Sequence, residues 1–219
     1  TQGNLDGFDV EMTKWLFDYL NNNGYNVELE WRQMSFDTII SAIQTGQVDL
    51  GISGFSYDED RKVLFSKPYY IEYQVVLVKA DTDISGVELT TDGIKKYLEG
   101  KSIAVQMGSS AEEAAKLIEG ADVKAISDNS IVVESVKTGA VDAAIMGKAV
   151  ADSYAATGDY KVLKGELIGD ELEGSLNTAD NSIIAAEGEE DLMKMMDEAI
   201  VAFKASGDYA AYVSKWFGE

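Results

Sequence analysis

Histidine and cysteine are both absent from the 219 residues. That excludes zinc, haem and iron–sulfur sites of the usual kinds, and Ser-His-Asp or Cys-His nucleophilic catalysis. An enzyme built from this chain would have to use carboxylate acid–base work, lysine or tyrosine chemistry, or an oxygen-ligated metal. Neither a G-x-x-x-x-G-K-[ST] nor a G-x-G-x-x-G phosphate loop is present, nor a D-x-[DN]-x-[DN]-G calcium loop. These motifs assign no catalytic residue, metal or cofactor. Arginine is scarce, with only Arg32 and Arg61. Arg61 follows Gly54 by seven residues, just beyond the carboxyl end of a short apolar strand. Its planar fork could clamp a carboxylate bidentately, or it could pair with Asp58, Glu59 or Asp60 in an exposed loop. In "GSSAEEAAK" (108–116), the Ser109 or Ser110 hydroxyl is placed to cap a helix, with Glu112 or Glu113 in its first turn. The same helix start could hold an anion on backbone N–H groups. Phe36 heads a helix and could either line a cleft wall against a ligand or belong to the core. The acidic clusters at 170–173 and 187–191 read as solvated faces and helix N-terminal charge.

These residues need a frame, and the pattern of the chain supplies one. Hydrophobic residues make up 46% and charged residues 26%, as in an ordinary globular protein of one large or two small domains. No run of 18 apolar residues is present, so no transmembrane helix is expected. A net charge of −21 repels phosphate backbones and anionic lipid, so no nucleic-acid partner is expected. The absence of cysteine is compatible both with export and with a reducing cytosol. A helix with Val10, Trp15, Leu16, Tyr19 and Leu20 on one face ends at Asn23-Gly24. Strands are predicted at 26–32, 48–54, 69–80, 102–106, 122–126, 140–146 and 181–188. Helices are predicted at 36–44, 91–99, 110–119, 129–138, 189–204 and 207–217. The alternation means an α/β fold with largely parallel sheets. "SAIQTGQVDLGISG" (41–54) echoes "ESVKTGAVDAAIMG" (134–147). Either all helix–glycine–strand joints look alike, or two similar lobes face each other across a cleft.

Six stretches in order carry a resemblance: "GNLDGFDVEM" (3–12), "SFDTIISAIQTGQVDLGISGFSYDEDR" (35–61), "FSKPYY" (65–70), "GKSIAVQMGSSAEE" (100–113), "VKTGAVDAAIMG" (136–147) and "YVSKWFGE" (212–219). The chain resembles the extracytoplasmic solute-binding proteins of ABC importers for polar amino acids, which have the type II periplasmic-binding-protein fold. The resemblance implies a two-lobe α/β protein. Lobe 1 would be 1–74 with 180–219 and lobe 2 would be 75–179, with hinge strands near 73–77 and 177–182. It implies that Arg61 binds the ligand α-carboxylate together with the Ser109 hydroxyl. It implies that the Gly54 carbonyl and Ser56 take the ligand ammonium, that Phe36 stacks on the ligand side chain, and that Gln106 sets specificity. Where the family has an aspartate for the ammonium, this chain has Gly147. The family's lobe 1 begins with a strand and a loop ahead of its G-x-L-x-G-F-D hairpin, and this chain starts inside that hairpin, so either the sequence is a piece of a longer chain or lobe 1 lacks its first strand.

The function implied is extracytoplasmic capture of an amino acid or small carboxylate, periplasmic or on a lipid-anchored protein at the cell surface. Delivery to a membrane permease by lobe closure would follow. The expected state is a monomer, or a strand-exchanged oligomer if the preceding segment is absent. The competing readings are a sensing module of a larger receptor or fused permease, and a dehydratase on the same fold. The dehydratase would show a buried carboxyl of raised pKa.

Overall fold

The computed structural model describes residues 5–168 and 171–218. The first residues of the stretch 3–12, residue 170 of the acidic cluster at 170–173, and residue 219 lie outside the described residues. In chain order the elements are α1 (Phe8–Asn22), α2 (Phe36–Gln44), β1 (Leu50–Phe55), a 3-10 turn (Glu59–Arg61), β2 (Leu64–Phe65) and β3 (Tyr70–Lys79). Then come α3 (Thr91–Leu98), β4 (Ser102–Gln106), α4 (Ser110–Lys116), β5 (Asp122–Ile126), α5 (Asn129–Thr138), β6 (Ala143–Gly147) and α6 (Lys148–Ala155). The chain continues through β7 (Tyr160–Leu163), β8 (Leu167–Ile168), β9 (Glu171–Leu172), β10 (Asn177–Ala185), α7 (Glu190–Ala205) and α8 (Gly207–Phe217). Two compact units result: residues 1–34, 38–70 and 180–219 form one, and residues 35–37 and 71–179 the other.

In the first unit, β10 pairs antiparallel with both β1 and β2. Phe8, Met12, Leu16 and Leu20 of α1 recur every fourth residue and pack with Tyr69, Tyr70, Ile183 and, from α7, Met196, Ile200 and Phe203. This stripe replaces the predicted face through Val10, which is only partly buried. The strand predicted at 26–32 does not form, because an alternating segment becomes a strand only when another edge hydrogen-bonds to it. Asn21 holds Val27 instead, accepting from its N–H and donating to its carbonyl, both at 3.0 Å. Residues 28–32 then line a cavity of about 360 Å³ with Thr13, Phe17 and β1.

In the second unit, β4 lies parallel between β5 and β6, while β3 runs antiparallel to both β6 and β7. The expectation of largely parallel sheets therefore holds only for β4, β5 and β6. Helices cover both faces: α3 and α4 on Val76, Val78, Ile103, Val105 and Ile145, and α5 and α6 on Val75, Leu77, Ala144 and Met146. Such double coverage explains why the strands read as continuous apolar runs. Helix α6 and strands β7–β9 have no counterpart among the predicted elements; they are short and lack a clear period.

The internal echo is real in three dimensions. Gly46 N–H donates to Ile43 O at 3.0 Å and Gln47 N–H to Ala42 O at 2.8 Å. The equivalent bonds, Gly139 to Val136 and Ala140 to Ser135, measure 3.1 and 2.9 Å. Thr45 and Thr138 each bond the carbonyl four residues back. Both glycines are left-handed, with φ of 69° and 75°, which satisfies the last carbonyls and turns the chain into the strand. Alanine at Gly46 or at Gly139 is expected to cost about 1–2 kcal/mol each, measured by urea unfolding. A loss at one position only would show that the two joints are not equivalent.

Candidate functional site

On the first unit, the site residues gather at the carboxyl end of β1. Gly54 has φ 66°, a conformation open to glycine and costly for other residues. Its N–H donates to the Tyr69 hydroxyl at 3.0 Å. Tyr69 is buried, and its hydroxyl in turn donates to the Asp9 carboxylate in the first turn of α1. Asp9 thus positions Gly54 through Tyr69. Burial pushes the Asp9 carboxyl up to about 6, against the lowering effect of the tyrosine bond.

Arg61 closes the 3-10 turn and is only 9% exposed. The Asp58 carboxylate caps the turn by accepting the Asp60 N–H at 2.9 Å, and it lies 3.6 Å from Arg61 Nε. The guanidinium carbon sits 5.7 Å from the Phe55 ring centroid, and Gln44 donates to the Arg61 carbonyl at 3.0 Å. Pairing with Asp58 is therefore present, but in a buried setting rather than an exposed loop. Lys62 takes φ 52° immediately after, a conformation that non-glycine residues hold only under local constraint. Ser56 follows β1 and is part-exposed.

On the second unit, Gln106, Ser109 and Gly147 collect at the carboxyl ends of β4 and β6, where open α/β sheets bind ligands. The capping expectation needs correction. The Ser109 hydroxyl makes no cap bond with α4, because it donates to the Gln106 carbonyl at 2.7 Å. The Glu112 carboxylate reaches back to the Gly108 N–H at 2.7 Å instead. Phe36 is buried.

Gly147 has a neighbour that sequence reasoning missed. A Cβ at this position would lie 2.8 Å from Glu72 Cδ and 2.9 Å from Glu72 Oε2. Glu72 Oε1 accepts from the Ala149 and Tyr73 N–H groups, both at 3.3 Å. Burial pushes the Glu72 carboxyl up to about 7, outweighing these bonds and the nearby Lys148 ammonium. The available signal was a lone acid inside "YYIEYQVVLVKA", a run otherwise rich in β-branched and aromatic residues. Among the described residues no cluster of three or more acidic, histidine or cysteine groups could hold a metal ion. The arrangement offers a buried guanidinium, backbone groups and carboxyls, which suit recognition of a small charged molecule.

Comparison with known proteins agrees with this chemistry. The family described as bacterial extracellular solute-binding proteins, family 3, matches residues 1–219. The arginine-binding extracellular protein ArtP of Bacillus subtilis (strain 168) is 31% identical over 98% of this chain and 78% of its own length. The solved structure of an ancestral arginine-binding protein bound to arginine aligns at TM-score 0.80 and 30% identity, covering 99% of this chain and 90% of that one. An ancestral amino acid-binding protein described as a precursor of cyclohexadienyl dehydratase aligns at TM-score 0.79 and 26% identity, covering 96% and 84%.

The Asp9 environment makes a pH prediction. Its carboxyl rises from 3.8 to about 6 on folding, so its ionised form disfavours the folded state. That contribution is best below the unfolded value and is lost as pH rises through about 6. Asp9→Asn, which keeps an acceptor for Tyr69, should melt higher than wild type above that pH, and the gap should close on acidification. Calorimetric melting across pH checks this; a gap independent of pH would refute it.

Proposed function

We propose, on the premise that this chain belongs to the bacterial extracellular solute-binding proteins of family 3, that it captures an amino acid or related small carboxylate outside the cytoplasm. It hands the ligand to an ABC import permease. The observation that carries the reading is Arg61, buried on Phe55 at the end of β1 and held by Asp58 and Gln44. A pre-positioned guanidinium of this kind suits a carboxylate. The likeness to an arginine-binding relative supports an amino acid as the ligand class.

In this reading Arg61 holds the ligand carboxylate. The Ser109 hydroxyl joins it by turning from the Gln106 carbonyl, a rotation about one bond. The Gly54 carbonyl and Ser56 face the ammonium end, Phe36 contacts the ligand side chain, and Gln106 tunes selectivity. Residues 1–74 with 180–219, and 75–179, act as two lobes closing on the ligand at hinge strands near 73–77 and 177–182.

A second reading draws on the Glu72 carboxyl, which burial brings near neutrality as a dehydratase acid would require. Incubation with hydroxylated, carboxylated rings should show no loss of water. Turnover abolished by Glu72→Gln would establish the enzyme instead.

Removing one side of a desolvated ion pair costs about 2–5 kcal/mol, or about 30- to 4,000-fold in affinity. Arg61→Ala should therefore lose the ligand-induced rise in melting temperature across a screen of the standard amino acids, while Arg61→Lys recovers part of it. Wild-type binding by the alanine variant would rule out the clamp.

A further inference from the structure

Glu72 and Gln74 lie on the face of β3 that continues into buried Val76 and Val78. Gln74 is in register with Gly147 of β6 and only 7% exposed, yet its side-chain oxygen accepts no hydrogen bond among the described residues. An orphaned buried acceptor of this kind calls for a donor. The Glu72 carboxyl lies so close over Gly147 that a side chain there would displace it. Gly147 has φ −58° and ψ 139°, which any residue adopts. Its backbone does not need glycine; what glycine leaves open is the space the Glu72 carboxyl occupies.

The carboxyl is held but weakly compensated. It accepts from the Ala149 and Tyr73 N–H groups at 3.3 Å, long for a carboxylate acceptor, and also from the Lys148 N–H. The Lys148 ammonium is already 3.2 Å from Asp152, which also takes Lys164. Burial accordingly dominates and raises the carboxyl to about 7. A cation arriving beside it would restore the ionised form.

We propose that Glu72 is a ligand-binding residue whose carboxylate, together with the Gln74 side-chain oxygen, receives the ammonium group of an amino-acid ligand. This rests on the amino-acid reading above. An ammonium is a compact cation with several N–H donors, which matches a carboxylate and an amide oxygen carried on the same face of β3 next to Gly147. A calcium ion would need six to eight oxygens, more than these two side chains supply.

Glu72 also serves α6, whose first residue follows Gly147 without a side-chain cap. A cap needs only an acceptor, which glutamine retains; an ammonium partner needs the charge. The test titrates each standard amino acid into wild type and Glu72→Gln by calorimetry. Arginine, histidine and glutamine are also compared with δ-guanidinovaleric, imidazolepropionic and glutaramic acids, which lack the α-ammonium. Glu72→Gln should weaken the amino acids by about 30-fold or more, leave the deaminated acids nearly unchanged, and raise rather than lower the ligand-free melting temperature at and above neutral pH, since burial disfavours the ionised carboxyl. The double variant Glu72→Ala/Gly147→Asp, which returns a carboxylate from the opposite strand, should recover part of the loss. Equal losses for both ligand classes, or none, would overturn the proposal. If wild type binds no standard amino acid, this proposal and the amino-acid reading fall together. If Arg61→Ala abolishes binding while Glu72→Gln does not, only the Glu72 assignment falls.

Discussion

Strand β3 is buried on both faces, with Val75 and Leu77 in one cluster and Val76 and Val78 in the other. Packing of this kind admits no polar side chain over Val75–Val78, and β6 and β7 can pair with it only if its register is kept. A slip of one residue would exchange the two clusters. The apolar run ends at Gln74 and Glu72, where the strand reaches Gly147 at the end of β6. The polar groups of the site thus sit where the core stops, and their positions follow from the packing of the four residues behind them.

The other polar cluster is held by a different device. Asp9, Tyr69 and the Gly54 N–H form a chain of hydrogen bonds from the first turn of α1 to the end of β1. Arg61 is pinned by Asp58, the Phe55 ring and Gln44. In both units the groups available for recognition lie near a glycine closing a strand, in segments 41–54 and 134–147 whose sequences echo each other. The two segments differ at the glycine that ends the strand. Gly54 needs its positive φ, whereas Gly147 adopts an ordinary conformation and is constrained by a carboxyl packed against it.

Much of this was readable along the chain. The helix at 36–44, the strands at 102–106 and 122–126 and the helix at 129–138 formed with the predicted bounds, because caps, glycines and apolar period are local signals. The absence of histidine and cysteine set the chemistry, and Arg61 stood out by scarcity. The failures share one cause. The segment 26–32 had a strand pattern without a paired edge, Ser109 had a better acceptor in Gln106, and Asp58 paired with Arg61 inside rather than outside. Glu72 meets Gly147 across 75 positions of chain, and Asp9 reaches Gly54 through Tyr69. Residue types and local joints are properties of the sequence by itself. Which carboxyl is buried against which glycine was decided only by the tertiary structure, because burial and partner both depend on strands brought together from distant parts of the chain.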